Sequence, residues 1–183
     1  NLGFVLARLG RPAEARQQLE KALQLNPNSS EAQFQLAGVL RTLGEKEKAQ
    51  EELRAFEQKK QESVKQNVAG TRANQANDAL RSGDVQHAVE LYREAIAQDP
   101  KNGRTYYDLA LALDRLGDRG SERDALEKAV ALDSNFAPPH NQLGFLSLES
   151  GQAADAEQQF KAAIALDPQY AEAQNNLGVL YGQ

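Results

Sequence analysis

Residues 140–168 read HNQLGFLSLESGQAADAEQQFKAAIALDP. His140, Leu143, Gly144 and Ser147 open the stretch, Gly151 divides it, Ala156, Phe160 and Ala163 follow, and Pro168 closes it. The spacing predicts two helices joined at Gly151 and stopped before Pro168. Glycine suits the left-handed conformation that ends a helix. The residue before a proline is disfavoured in helix.

The same stretch recurs. Gly83, Gly117 and Gly151 are 34 apart, as are Gly10 and Gly44; only Gly44 to Gly83 differs, at 39. The prolines agree: Pro100 to Pro168 is 68, twice 34, and Pro27 to Pro100 is 73, again with five extra. Each unit carries one helical stripe before its glycine (Leu109, Ala112, Leu113, Leu116) and one after it (Ala88, Leu91, Tyr92, Ala95, Ile96). Both have the 3.6-residue period. One helix pair cannot bury both stripes, so neighbouring pairs must stack.

The 34-residue period, with Leu2-Gly3 and Leu143-Gly144 each followed at the same spacing by Ala, Leu or Phe, Ala and Pro, and with Leu177-Gly178 followed by Tyr181, resembles the tetratricopeptide repeat. That resemblance implies an all-α, right-handed α-solenoid of stacked antiparallel helix pairs, with about eleven helices. The expected units are 1–29 (partial), 30–63, 69–102, 103–136, 137–170 and 171–183 (partial).

Composition fits a helical scaffold. The 183 residues are 40% hydrophobic and 26% charged, with a net charge of −5. Ala, Leu, Gln, Glu, Arg and Lys favour helix. Cys is absent, which excludes disulfides and thiolate chemistry. No apolar run reaches the length of a membrane span. The acidic balance weighs against nucleic acid as a partner. The absence of Met, and a helix-like run from Asn1 to Leu9 without a preceding cap, read as the interior of a longer protein. The compartment is not legible.

Two breaks interrupt the pattern. Between the second and third units Gln61 stands where the turn proline is expected, within the polar stretch Glu51 to Asn67. Nothing before Gly70 stops a helix there. The expectation is one long helix from near Glu45 to about Asn67, over an insertion around 45–68, and either a solvated extension or a flexible joint at 64–70. In the second break, Glu122 replaces the small Ala of the second helix. A buried unpaired carboxylate is costly. The expectation is a helix starting at Ser121, capped with Asp124, and Glu122 turned to water.

No catalytic constellation emerges. His140 takes the place of the repeat's large aromatic and reads as a packing residue; His87 reads as exposed. The two are far apart and no cysteine accompanies them, so no metal is expected. Asp99 to Gly103 lacks the alternating acids of a calcium loop. The glycines do not cluster into a phosphate loop. No enzyme and no cofactor is expected.

In the tetratricopeptide family the first helices line a concave groove where ligands lie. The residue before each Leu-Gly pair should point there: Asn1, Gln35, Asn74, Asp108, Gln142 and Asn176. Each is an amide or a carboxylate. An amide offers donor and acceptor together, matching the backbone of an extended peptide. The column is similar to the asparagine ladder of some tetratricopeptide stacks, though Gln35, Asp108 and Gln142 depart from asparagine. The alternative is a hydrated face that serves solubility. Beside it stand Asn77, Tyr107, Asn141 and Asn175, and near the helix ends Arg8, Arg81 and Arg115. Arginine's planar fork suits carboxylates. The family's clamp on chaperone C-terminal carboxylates is not expected, because its places hold Ala73, Asn77, Asp108, Pro138 and Gln142 and only Asn77 fits.

The leading reading is a scaffold that binds a protein or peptide in this groove, monomeric or weakly self-associating. The alternatives are a structural or self-assembly module, or a regulatory repeat domain of a larger multidomain protein.

Overall fold

The computed structural model describes residues 2–182. The described residues form ten α-helices and no strand: α1 (Leu2–Arg8), α2 (Pro12–Leu25), α3 (Ser30–Thr42), α4 (Lys46–Ser82), α5 (Val85–Gln98), α6 (Gly103–Leu116), α7 (Arg119–Leu132), α8 (Ala137–Glu149), α9 (Ala153–Leu166) and α10 (Ala171–Tyr181). The architecture is an all-α solenoid of stacked helix pairs.

The punctuation read from the sequence has a physical basis at each turn. Gly10, Gly44, Gly83, Gly117 and Gly151 all have positive φ. Gly117, for one, caps α6 at φ 72°, ψ 15°, a conformation a β-carbon disfavours. At the other turns an Asp or Asn does the work. Asn26, Asp99, Asp133 and Asp167 each accept a hydrogen bond from the amide two residues on, at 3.0 to 3.3 Å. These are Asx turns. The turn at Asp133 has this bond but no proline behind it. Proline therefore reinforces the turn without being required for it.

The chain divides into two compact units, Asn1–Lys65 and Gln66–Gln183. In the first, Leu6, Leu19, Leu36 and Leu40 form the core with Ala15 and Ala49. In the second, Tyr92, Leu113, Leu126 and Leu146 centre a larger core, and Ala137, Ala163 and Ala173 a smaller one. Phe160, fully buried, packs against α8 at Gly144. Burying such a ring contributes about 1.5–3 kcal/mol.

Two expectations are corrected. The long helix does not end near Asn67: α4 runs 37 residues to Ser82, and with it the described residues form ten helices, close to the expected number. Gly70 is the only interruption its sequence offers. A glycine costs a helix about 1 kcal/mol relative to Ala, which is not enough to break it. Residues 61–68 are exposed on every side of α4.

The second correction concerns Glu122. α7 begins at Arg119, and Asp118, not Ser121, caps it, accepting from the Ser121 amide at 3.1 Å. Glu122 is fully buried instead of facing water. It occupies the repeat position of Ala88 and Ala156, both fully buried, so the stacking turns it inward. Partners meet the cost. Arg119 Nη1 donates to its Oε2 at 2.9 Å and Gln142 Nε2 to its Oε1 at 3.2 Å. Arg119 also pairs with Asp114 and Glu149, tying α6, α7 and α8 together.

Candidate functional site

Among the described residues no group of His, Asp and Glu gathers to hold a metal, and no helix is long and apolar enough to cross a membrane. His87 is exposed, 3.8 Å from Glu90. His140 is half-buried, its Nδ1 2.8 Å from Gln159 Oε1.

In the second unit, four of the residues singled out in the sequence meet. Asn77 and Arg81 from α4 and Asp108 and Arg115 from α6 line one pocket of about 440 Å³, with Leu80, Leu111 and, from α5, Tyr92. The amphipathic stripes position them: Ala76, Ala79, Leu109, Ala112 and Leu113 face the core, which leaves the adjoining positions of each helix for the pocket. Asn77 Oδ1 accepts from the Tyr92 hydroxyl at 2.8 Å. That fixes the amide and leaves its NH₂ as a donor toward the pocket.

The electrostatics are mixed. Burial pushes the Tyr92 phenol up to about 12, with the Asp108 charge adding to the rise. Tyr92 is therefore neutral across physiological pH. Burial also raises Asp108, which Arg104 partly offsets. Arg81 pairs with Asp78 at 2.8 Å, both well exposed; such pairs contribute about 0–1 kcal/mol and exchange readily. Arg115 donates to the Leu80 carbonyl at 3.4 Å and has no ion-pair partner among the described residues.

The remaining expected residues lie elsewhere. Asn74 and Asn175 are exposed. Tyr107 stacks edge-on against Phe136, centroids 5.1 Å apart, and burial pushes its phenol up to about 12. Gln35, in the first unit, donates to Glu31 at 2.9 Å. Gln142 is committed to Glu122. Asn141, expected beside the ladder, is instead an internal tie. It is 2% exposed, donates to Glu172 at 3.1 Å and accepts from Asn176 at 3.0 Å. Asn1 lies outside the described residues. Sequence reasoning missed Tyr92 as a pocket residue, because its place in the second-helix stripe marks it as core.

Family models match the chain on either side of the break. Residues 72–182 match the model described as "Cilia and flagella-associated protein 70 middle TPR-like domain", and residues 6–66 match "Tetratricopeptide repeat". The chain belongs to the tetratricopeptide repeat family. Its repeats are similar to Hsp70-Hsp90 organizing protein 2 of Arabidopsis thaliana, 29% identical over 106 residues, 58% of this chain and 18% of that protein. The chain thus spans under a fifth of that curated relative. Among solved structures, the first TPR of Spaghetti (RPAP3), bound to HSP90 peptide SRMEEVD, aligns at TM-score 0.61 with 20% identity, over 64% of this chain and 93% of that one. MamA aligns at TM-score 0.54 with 22% identity, over 94% of this chain and 98% of its own. At these identities both show the tetratricopeptide fold alone.

Proposed function

We propose that the chain is a non-enzymatic scaffold that holds an extended polypeptide segment along the first helices of its repeats. The observation that carries the reading is the convergence of Asn77, Arg81, Asp108 and Arg115 on one pocket. It presents amide and guanidinium donors beside a carboxylate acceptor, which is the complement of a peptide backbone and an acidic side chain. The peptide held by the first TPR of RPAP3 supports this class of ligand. The amide column narrows: Asn74 and Asp108 remain for a ligand, whereas Gln142 and Asn176 hold other side chains of the protein.

The test is amide NMR of the labelled chain titrated with short unstructured peptides that are acidic, neutral or basic. Binding in the pocket shifts amides at 74–81 and 108–115, most strongly for the acidic peptide. Shifts confined to α5, α7 and α9, or none with any peptide, would overturn the reading.

A second reading, self-association, draws on α10. Val179 is 50% and Tyr181 59% exposed there. Sedimentation over a range of concentrations separates the two: a concentration-independent monomer removes self-association.

A further inference from the structure

The first unit carries a groove of a different chemistry. Phe4 and Ala7 from α1, Phe34, Gly38 and Thr42 from α3 and Leu53 from α4 line about 320 Å³. Phe4 and Phe34 are exposed by 45% and 56%. Phe34 is held in place by Phe56, ring centroids 5.3 Å apart. A β-carbon at Gly38 would meet nothing within 4 Å, so the groove is open above it. An apolar depression rimmed by polar groups marks an interaction site in a soluble protein.

The rim is basic. Arg41 lines the groove, and the Arg8 guanidinium lies over the Phe4 ring at 5.7 Å. Neither has an ion-pair partner among the described residues, whereas Arg11 pairs with Glu14 and Arg16 with Glu20 and Glu45. The volume holds one large side chain. A stable dimer needs roughly 1,200 Å² of buried surface, far more than a groove of this size offers.

We propose that this groove is an anchor subsite for a polypeptide partner, taking one aromatic or large aliphatic side chain that is followed by Asp or Glu. The apolar side chain lies over Gly38 between Phe4 and Phe34, and the carboxylate meets Arg8 or Arg41. The subsite rests on the reading of the chain as a holder of extended segments, and adds what it selects.

The experiment uses the full chain and three fluorescent Gly/Ser peptides. One carries a Phe followed by two Asp, the second has Ala for Phe, and the third has Asn for Asp. Anisotropy should show the first binding roughly tenfold tighter than the second, the scale set by burying one ring. The third should bind more weakly and lose its salt dependence. Gly38→Leu, whose β-carbon meets nothing within 4 Å, puts a side chain into the groove and should erase the Phe preference at a melting temperature no lower than the parent chain's, since it replaces a glycine inside α3. Equal affinity for the Phe and Ala peptides overturns the subsite. So does a Phe preference that survives Gly38→Leu, or a dimer that Gly38→Leu dissociates, which would make a second copy the occupant. Peptide binding that shifts only amides of α4 to α8 in the second unit removes this subsite and leaves the proposed function standing. Binding of no peptide removes both.

Discussion

Gly144 on α8 lies directly against the ring of Phe160 on α9. A β-carbon at Gly144 would stand 2.6 Å from Cε1 and 2.7 Å from Cδ1, closer than atoms pack. The Leu-Gly pair of the repeat is thus a packing device: the missing side chain lets the second helix seat a large ring. Gly3 repeats the relationship, with a β-carbon 2.6 Å from Leu19 Cγ. Gly178 holds the same motif position and meets nothing within 4 Å. Gly144→Ala should therefore destabilise by about 2 kcal/mol through overpacking, while Gly178→Ala should be neutral or stabilise by up to about 1 kcal/mol through helix propensity. Urea unfolding of both variants checks this, and equal effects would refute the packing role.

Much of the fold was legible because two residue types carry it redundantly. The positive-φ glycines and the prolines gave the same period and the same break, and the apolar stripes of α5 and α6 face the core as read except for Leu116, which is exposed at the end of its helix. The errors share one cause, which is local chemistry overridden by position in the stack. Glu122 looked too polar to bury, yet its column is buried in neighbouring repeats, and Arg119 one turn earlier on α7 and Gln142 on α8 supply partners. Gly70 looked like a stop, but a lone glycine is a weak one. Of the candidate site, Asn77, Arg81, Asp108 and Arg115, singled out by helix period, line one pocket. Helix period could not show that Gln142, Asn141 and Asn176 bond to partners on other helices.

The Glu122 cluster makes a prediction about coupling. Arg119→Ala leaves a fully buried carboxylate with only Gln142, and breaking a buried pair from one side costs about 3 kcal/mol or more. Because Arg119 is partly exposed, about 2 kcal/mol is expected. Arg119→Ala combined with Glu122→Ala, which restores the small residue of the other repeats, should recover most of that loss. A double variant no better than the single would show that Arg119 acts elsewhere.

Asp108 predicts a pH dependence. Burial raises its pKa above the ordinary 3.8, so the folded chain binds this proton more tightly than the unfolded one. Its contribution to stability is greatest in acid and falls as pH rises through the unfolded and then the folded value. At pH 7 the ionised carboxylate is a liability. Asp108→Asn should raise the melting temperature at pH 7, and the gain should shrink as pH falls through the folded value and vanish well below the ordinary 3.8, where the carboxyl is protonated in both states. A gain of equal size at both pH values would place its cause outside this titration.

The exposed middle of α4 predicts where the protein opens. Residues 61–68 are exposed on every face, so backbone hydrogen bonds and helix propensity act there without tertiary packing. Isolated helices shorter than about 12–15 residues are marginal in water, and Gly70 lowers the propensity further. We expect hydrogen exchange at 64–70 to be faster than in the packed stretches of α4, near Ala49 and Ala76, which are 4% and 0% exposed. Gly70→Ala should slow exchange there by roughly fivefold, the equivalent of about 1 kcal/mol. The joint is then a segment of intact but weakly held helix. Uniform protection from Lys46 to Ser82 would instead make α4 a rigid rod, and the extra five residues a spacer.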